Sequence, residues 1–103
     1  MLRNDTSMAI VLVDAENVRR STWPNIGKDE LEGLSAAWAQ AHGHDVRVIW
    51  ETNESADDHI AREVRKLDGP VWVATSDRAL RERVREHVER IIGGGSFARE
   101  LRG

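Results

Sequence analysis

Met8-Ala9-Ile10-Val11-Leu12-Val13 runs directly into Asp14-Ala15-Glu16-Asn17. Six consecutive apolar residues, several of them β-branched, describe a strand covered on both faces, as strands are in a parallel sheet between helix layers. The run ends on a carboxylate at the carboxyl end of the strand, where α/β folds bind their ligands. Two further runs repeat the pattern. Val46-Arg47-Val48-Ile49-Trp50 leads into Glu51 and then Glu54-Ser55-Ala56-Asp57-Asp58, and Val71-Trp72-Val73-Ala74 leads into Thr75-Ser76-Asp77. In a parallel sheet the carboxyl ends of the strands lie along one edge. Acidic clusters far apart in the chain are therefore expected to meet in space.

The segments between the runs read as helices. Leu31, Leu34, Ala37, Trp38 and Ala41 recur at spacings of three and four, which predicts a helix over 28–42 with Gly43 as its C-cap. Ser55 reads as an N-cap for a helix carrying Ile60, Val64 and Leu67, closed by Gly69-Pro70, with Asp57 and Asp58 in its first turn. Ser76 or Asp77 caps a third helix with Leu80 and Val84, and 88–92 contains a short fourth strand. Residues 17–27 read as a loop broken by Pro24, and Gly93-Gly94-Gly95 as a tight loop before a short terminal segment, 96–101. Strands alternating with helices predict a compact three-layer α/β/α, Rossmann-like domain with a mostly parallel sheet of about four strands.

The 103 residues suffice for one domain, so 1–103 is expected to be a single unit with a flexible segment at 1–7. There is no cysteine, which removes disulfides and thiolate metal sites from consideration and fits a reducing, cytoplasmic setting. The longest apolar run is far too short to span a bilayer, so no membrane association is expected. The net charge of −3 argues against a uniformly basic nucleic-acid binder. It leaves room for a local one, since acids gathered at one site and arginines elsewhere give the same sum.

Each carboxylate has a plain structural role open to it. Asp14 suits a turn, Asp77 an N-cap, and Asp57 and Asp58 the positive end of a helix. Taken together on one edge, they suit a hard divalent cation. Mg²⁺ prefers oxygen ligands and keeps several waters, and Mg²⁺ or Mn²⁺ bound this way supports phosphate chemistry. Asn17 either orients a carboxylate or phosphate or fixes the turn. Thr75 and Ser76 bring hydroxyl and N–H groups to the same edge.

Four segments carry a family resemblance. Val13-Asp14-Ala15-Glu16-Asn17 with Trp23-Pro24, Glu54-Ser55-Ala56-Asp57-Asp58-His59-Ile60, Val73-Ala74-Thr75-Ser76-Asp77, and Gly94-Gly95-Ser96-Phe97-Ala98-Arg99-Glu100-Leu101 resemble, in order, segments of YacP-like NYN domains. The resemblance implies a PIN-like nuclease fold, an acidic Mg²⁺ or Mn²⁺ centre and metal-dependent cleavage of RNA. By position it makes Asp14, Asp57 and Asp77 the catalytic and metal carboxylates. Asp58 becomes a further metal ligand, and Asn17, Ser76 and Glu54 supporting residues. The chain departs from the pattern at Ala15, where the family has glycine, at Glu16, where it has an aromatic, and at Ala61, where relatives often carry another acid. It is also shorter ahead of the second acidic segment. A catalytically inactive RNA- or protein-binding domain is the alternative these departures suggest.

Other residues bear on an RNA partner. Arg19, Arg20 and Arg78 flank the acidic edge and are the arginines best placed for phosphate contacts. Trp23 lies in a loop beside two of them and suits either a base platform or a loop anchor. Trp38, Trp50 and Trp72 read as packing residues. His42, His44, His59 and His87 lack helical zinc spacing and read as surface residues. An incomplete sheet edge could pair with a second copy as a homodimer.

Overall fold

A computed structural model describes residues 8–103; the expectation of a flexible segment at 1–7 lies outside the described residues. The four strands are β1 (Ile10–Asp14), β2 (Asp45–Ile49), β3 (Val71–Ala74) and β4 (Arg90–Ile92). They form one wholly parallel sheet in the order β2-β1-β3-β4. The helices are α1 (Ala15–Arg19), α2 (Lys28–His42), α3 (Ala56–Lys66), α4 (Arg78–Val84) and α5 (Gly94–Arg102), with a 3₁₀ turn over Arg85–His87. Among the described residues no helix is long and apolar enough to cross a membrane.

Alternation along β1 explains the layers. Val11 and Val13 point to one face and pack with Val18 of α1, Leu31 and Trp38 of α2, and Phe97, Ala98 and Leu101 of α5. Leu12 points to the other face and packs with Ile60 and Val64 of α3 and Leu80 and Val84 of α4. β1 is thus buried from both sides, which is why its sequence shows no polar alternation. Phe97 is wholly enclosed and meets Trp38 edge-on at 5.0 Å between centroids. A packed aromatic of this kind costs about 3–5 kcal/mol to truncate to alanine. It fastens the last helix to the sheet.

Several expectations change. Residues 17–27 are not all loop, because α1 starts directly at the end of β1 and occupies the first part of that stretch. Helix α3 closes at Lys66, before Gly69-Pro70 is reached. The glycine run is not a loop either: Gly93 is the N-cap of α5, and Gly94 and Gly95 form its first turn. A side chain at Gly94 would overlap Asn17 Oδ1 and come within 2.8 Å of Ser21 Oγ. Close approach of α5 to the end of α1 therefore demands glycine there, whatever its helix propensity. His44 is half-buried rather than free at the surface. Its Nδ1 accepts a hydrogen bond from the Ala9 N–H at 3.0 Å, and its ring lies between Trp38 and Trp72. Trp50 and Trp72 are only partly buried, and each indole N–H donates to an acid, Glu32 and Glu89 respectively.

Candidate active site

The carboxyl ends of β1, β2 and β3 open onto a cavity of about 480 Å³ lined by Asp14, Glu16, Asn17, Arg20, Ser21, Glu51, Ser55, Ala56, Asp57 and Asp77. Asp14 comes from the last position of β1, Glu51 from just beyond β2, Asp57 from the first turn of α3, and Asp77 from the link between β3 and α4. The register pairs Asp14 with Ile49 across β1 and β2, and Val13 with Ala74 across β1 and β3. Strand ends so aligned bring together residues more than sixty positions apart.

Capping separates structural from unoccupied carboxylates. Asp14 holds the N-cap position of α1 yet makes no capping bond. Instead its Oδ2 accepts from the Thr75 hydroxyl at 2.7 Å, while Thr75 Oγ1 accepts from the Asp77 N–H at 3.1 Å. Thr75 is fully buried, so this relay ties β1 rigidly to the start of α4. In α3 the cap is Ser55, which accepts from the Asp58 N–H at 3.1 Å and leaves Asp57 free of that duty. Asp77 is the one true cap of the three, accepting from the Leu80 N–H at 3.1 Å through Oδ1.

Two of the acids that face the cavity, Asp14 and Asp57, are raised by burial and by acidic neighbours. Asp14 is 5% exposed, and burial lifts its carboxyl above the usual range against the lowering effect of Thr75, with Asp57, Asp77 and Glu51 adding repulsion. Asp57 is lifted by burial and then by Asp77, with Arg83 opposing and Asp58 and Glu51 adding. Asp58 behaves oppositely. Its carboxylate meets Arg83 at 2.9 Å, a bond that holds it below the usual range. Glu54 is likewise held down by Arg62, with two hydrogen bonds of which one is 2.8 Å. Neither Asp58 nor Glu54 lines the acidic cavity.

The remaining sequence candidates divide between support and surface. Asn17 Oδ1 accepts from the Ser76 N–H at 2.8 Å, and Ser76 Oγ accepts from the Gly94 N–H at 2.7 Å. These bonds fasten α1, the β3–α4 link and α5 behind the cavity. Arg19 turns away, donating to Glu16 at 3.1 Å and to the Ile26 carbonyl at 3.3 Å. Arg20 lines the cavity, whereas Arg78 faces a separate groove. Trp23 is 87% exposed. Glu51, part of the second acidic cluster in the sequence but not among the candidate site residues there, also lines the cavity.

The donor set suits a hard divalent cation by its chemistry: oxygen ligands alone, from carboxylates whose mutual repulsion a cation would relieve. As the side chains stand, no group of three His, Cys, Asp or Glu among the described residues is gathered closely enough to hold an ion.

No protein-family model and no curated protein matches the chain. Among solved structures it is similar to Rae1 (YacP) from Bacillus subtilis, crystallised in a mutant form. The TM-score is 0.77 at 22% identity, over 90% of this chain and 74% of that one. The likeness shows a YacP-like fold, with the parallel sheet and flanking helices the sequence led us to expect.

Proposed function

We propose that this YacP-like domain is a metal-dependent ribonuclease that hydrolyses RNA phosphodiester bonds at the edge of its sheet. The observation that carries the reading is the convergence of Asp14, Asp57 and Asp77 on one cavity, with Asp14 and Asp57 raised by burial and by their acidic neighbours. A protein designed only for stability would not gather such charges without partners. Asp14, Asp57 and Asp77 would hold Mg²⁺ or Mn²⁺, with Glu51 as a fourth acid at the same edge. When bound, the ion supplies an activated water and neutralises charge developing on the phosphate.

The chain's own residues supply position. Thr75 holds one Asp14 oxygen, so the other is left for the cavity. The Asn17–Ser76–Gly94 bonds hold the wall behind it. Arg20 is the one guanidinium lining the cavity and offers donors to a phosphate oxygen. No side chain in the lining is a serine–histidine or cysteine–histidine pair, so the reading uses water as nucleophile and requires no covalent intermediate.

The test is cleavage of single-stranded RNA with Mg²⁺ or Mn²⁺, against the same reaction in EDTA and with the Asp14→Asn, Asp77→Asn double variant. Cleavage that persists in the double variant removes the proposal. A second reading, an RNA-binding domain that does not cleave, is favoured by the absence of any ready three-ligand group among the described residues. Binding of RNA without cleavage in any divalent metal would select it.

A further inference from the structure

Beside the acidic cavity lies a second groove, of about 420 Å³, with the opposite charge. It is lined by Ser76, Arg78, Arg81, Glu82, Arg85 and Ile91. Positions 78, 81 and 85 follow the helical repeat, so their side chains leave within about 60° of one another. Three exposed guanidiniums thus form one stripe along α4 and the turn after it. The stripe rises roughly 10 Å, about three phosphate-to-phosphate steps of a stacked strand.

On the neighbouring face Arg62 pairs with Glu54, Lys66 with Glu63 and Arg83 with Asp58. Among the described residues neither Arg78 nor Arg81 has a carboxylate within ion-pair reach, and Arg85 reaches only Glu82. A chain with 18 acids and 15 basic residues has carboxylates to spare, yet this groove holds one. Unpaired cations on one stripe suit a polyanion.

The groove and the cavity adjoin at the link between β3 and α4. Asp77 lines the cavity and its neighbours Ser76 and Arg78 line the groove. The Ser76 hydroxyl accepts from the Gly94 N–H, and its own hydrogen has no acceptor among the described residues. It is free to donate to a phosphate oxygen at the junction.

We infer that the Arg78–Arg81–Arg85 groove carries the sugar–phosphate backbone of the single-stranded RNA flanking the cleaved bond, which enters it from the acidic cavity past Ser76. The inference rests on the nuclease reading of the cavity for its direction, but its test does not need cleavage. Binding of a labelled 12-nucleotide single-stranded RNA is followed by fluorescence anisotropy in EDTA, over about 50–200 mM salt. Loss of two phosphate contacts in R81Q/R85Q should reduce the log–log salt slope by about 1.4, at ~0.7 per contact, and weaken binding roughly tenfold at the lowest salt. Glu82→Gln, which frees Arg85, should tighten binding. DNA of the same sequence should lose the same slope, because the phosphates are shared.

An unchanged slope in R81Q/R85Q overturns the groove, as does RNA that does not bind the wild-type chain. A slope change confined to RNA overturns the backbone assignment. Both arginines are exposed, and a melting curve that matches the wild type keeps misfolding out of the result. If R81Q/R85Q lowers the slope while no divalent metal supports cleavage, the nuclease reading falls and the groove stands.

Discussion

At the amino ends of the strands the polar groups drawn into the fold find partners; at the carboxyl ends the carboxylates face one another. His44, just ahead of β2, accepts from Ala9 N–H and lies between two indoles. Trp38 donates to Glu100 at 2.7 Å, Trp72 donates to Glu89 at 2.8 Å, and Arg90 sits 4.8 Å from the Trp72 ring. One sheet length away, Asp14 and Asp57 are raised by burial and by the carboxylates around them. The first arrangement stabilises the fold. The second costs stability and is the mark of a site kept for binding or chemistry.

The sharpest way to break this contrast is Asp14→Asn. The variant keeps an acceptor for Thr75 but removes a buried charge. Cleavage of RNA should fall on the order of 10³-fold, the several kcal/mol expected of a lost metal interaction. The melting temperature should hold or rise, since repulsion is relieved. A variant that melts lower and still cleaves would place Asp14 with the structural residues.

The amino end should respond in the opposite sense. Burial lowers the His44 pKa, and the nearby His42 and Arg90 push it the same way. A histidine kept neutral in the fold contributes stability that is whole above its ordinary value near 6.5 and is lost as pH falls through and below it. His44→Ala should cost about 1–3 kcal/mol by leaving the Ala9 N–H without its acceptor. His44→Gln should keep much of that bond while flattening the dependence of melting temperature on pH between about 7.5 and 5. An unchanged pH profile in the glutamine variant would remove His44 as its source.

Divalent ions probe the carboxyl end without any substrate. A tenfold excess of Mn²⁺ over its dissociation constant stabilises a folded protein by about 1.4 kcal/mol. In a domain of this size that is roughly 6–11 °C by differential scanning fluorimetry. The gain should fade on acidification, and sooner than ordinary carboxylates would dictate, because Asp14 and Asp57 take up protons at higher pH. It should disappear in Asp14→Asn, Asp57→Asn. An equal shift in that variant would move the ion elsewhere.

Much of the fold was legible because it is written in burial. Two apolar runs without alternation, at β1 and β3, and strands alternating with helices declared a parallel sheet, and Gly43 and Ser55 stand at the helix ends they signalled, Gly43 at φ 73°. Helix α1 was not legible: five residues with two buried positions, Ala15 and Val18, are too few to show a period. The first turn of α5 was hidden by glycines that argue against a helix, and only their tertiary neighbours, Asn17 and Ser21, explain them. In the site, the family resemblance pointed to Asp14, Asp57 and Asp77, all of which line one cavity. Glu51 stands in the second acidic cluster of the sequence, but which acids of that cluster face the cavity depends on the β1–β2 register and the path of the chain into α3, which no local pattern states. The pairing of Asp58 with Arg83 and of Glu54 with Arg62 spans 25 and 8 positions and was equally invisible.

Those pairings supply the finest division of all, between adjacent residues. Asp57 and Asp58 share the first turn of α3, where the helix dipole favours both. One helical step of about 100° turns Asp57 to the cavity and Asp58 to Arg83. Their carboxyls are consequently shifted in opposite directions, up for Asp57 and down for Asp58. Asp57→Asn should therefore lower cleavage and the Mn²⁺ shift while leaving the fold as stable or more so. Asp58→Asn removes only an exposed ion pair, of a kind that contributes little to stability, and should change cleavage and melting temperature least of the variants considered. Parallel RNA cleavage and melting assays decide the matter. Equal losses of cleavage in the two variants would mean that the whole first turn of α3, rather than the one side chain facing the cavity, carries the acidic function.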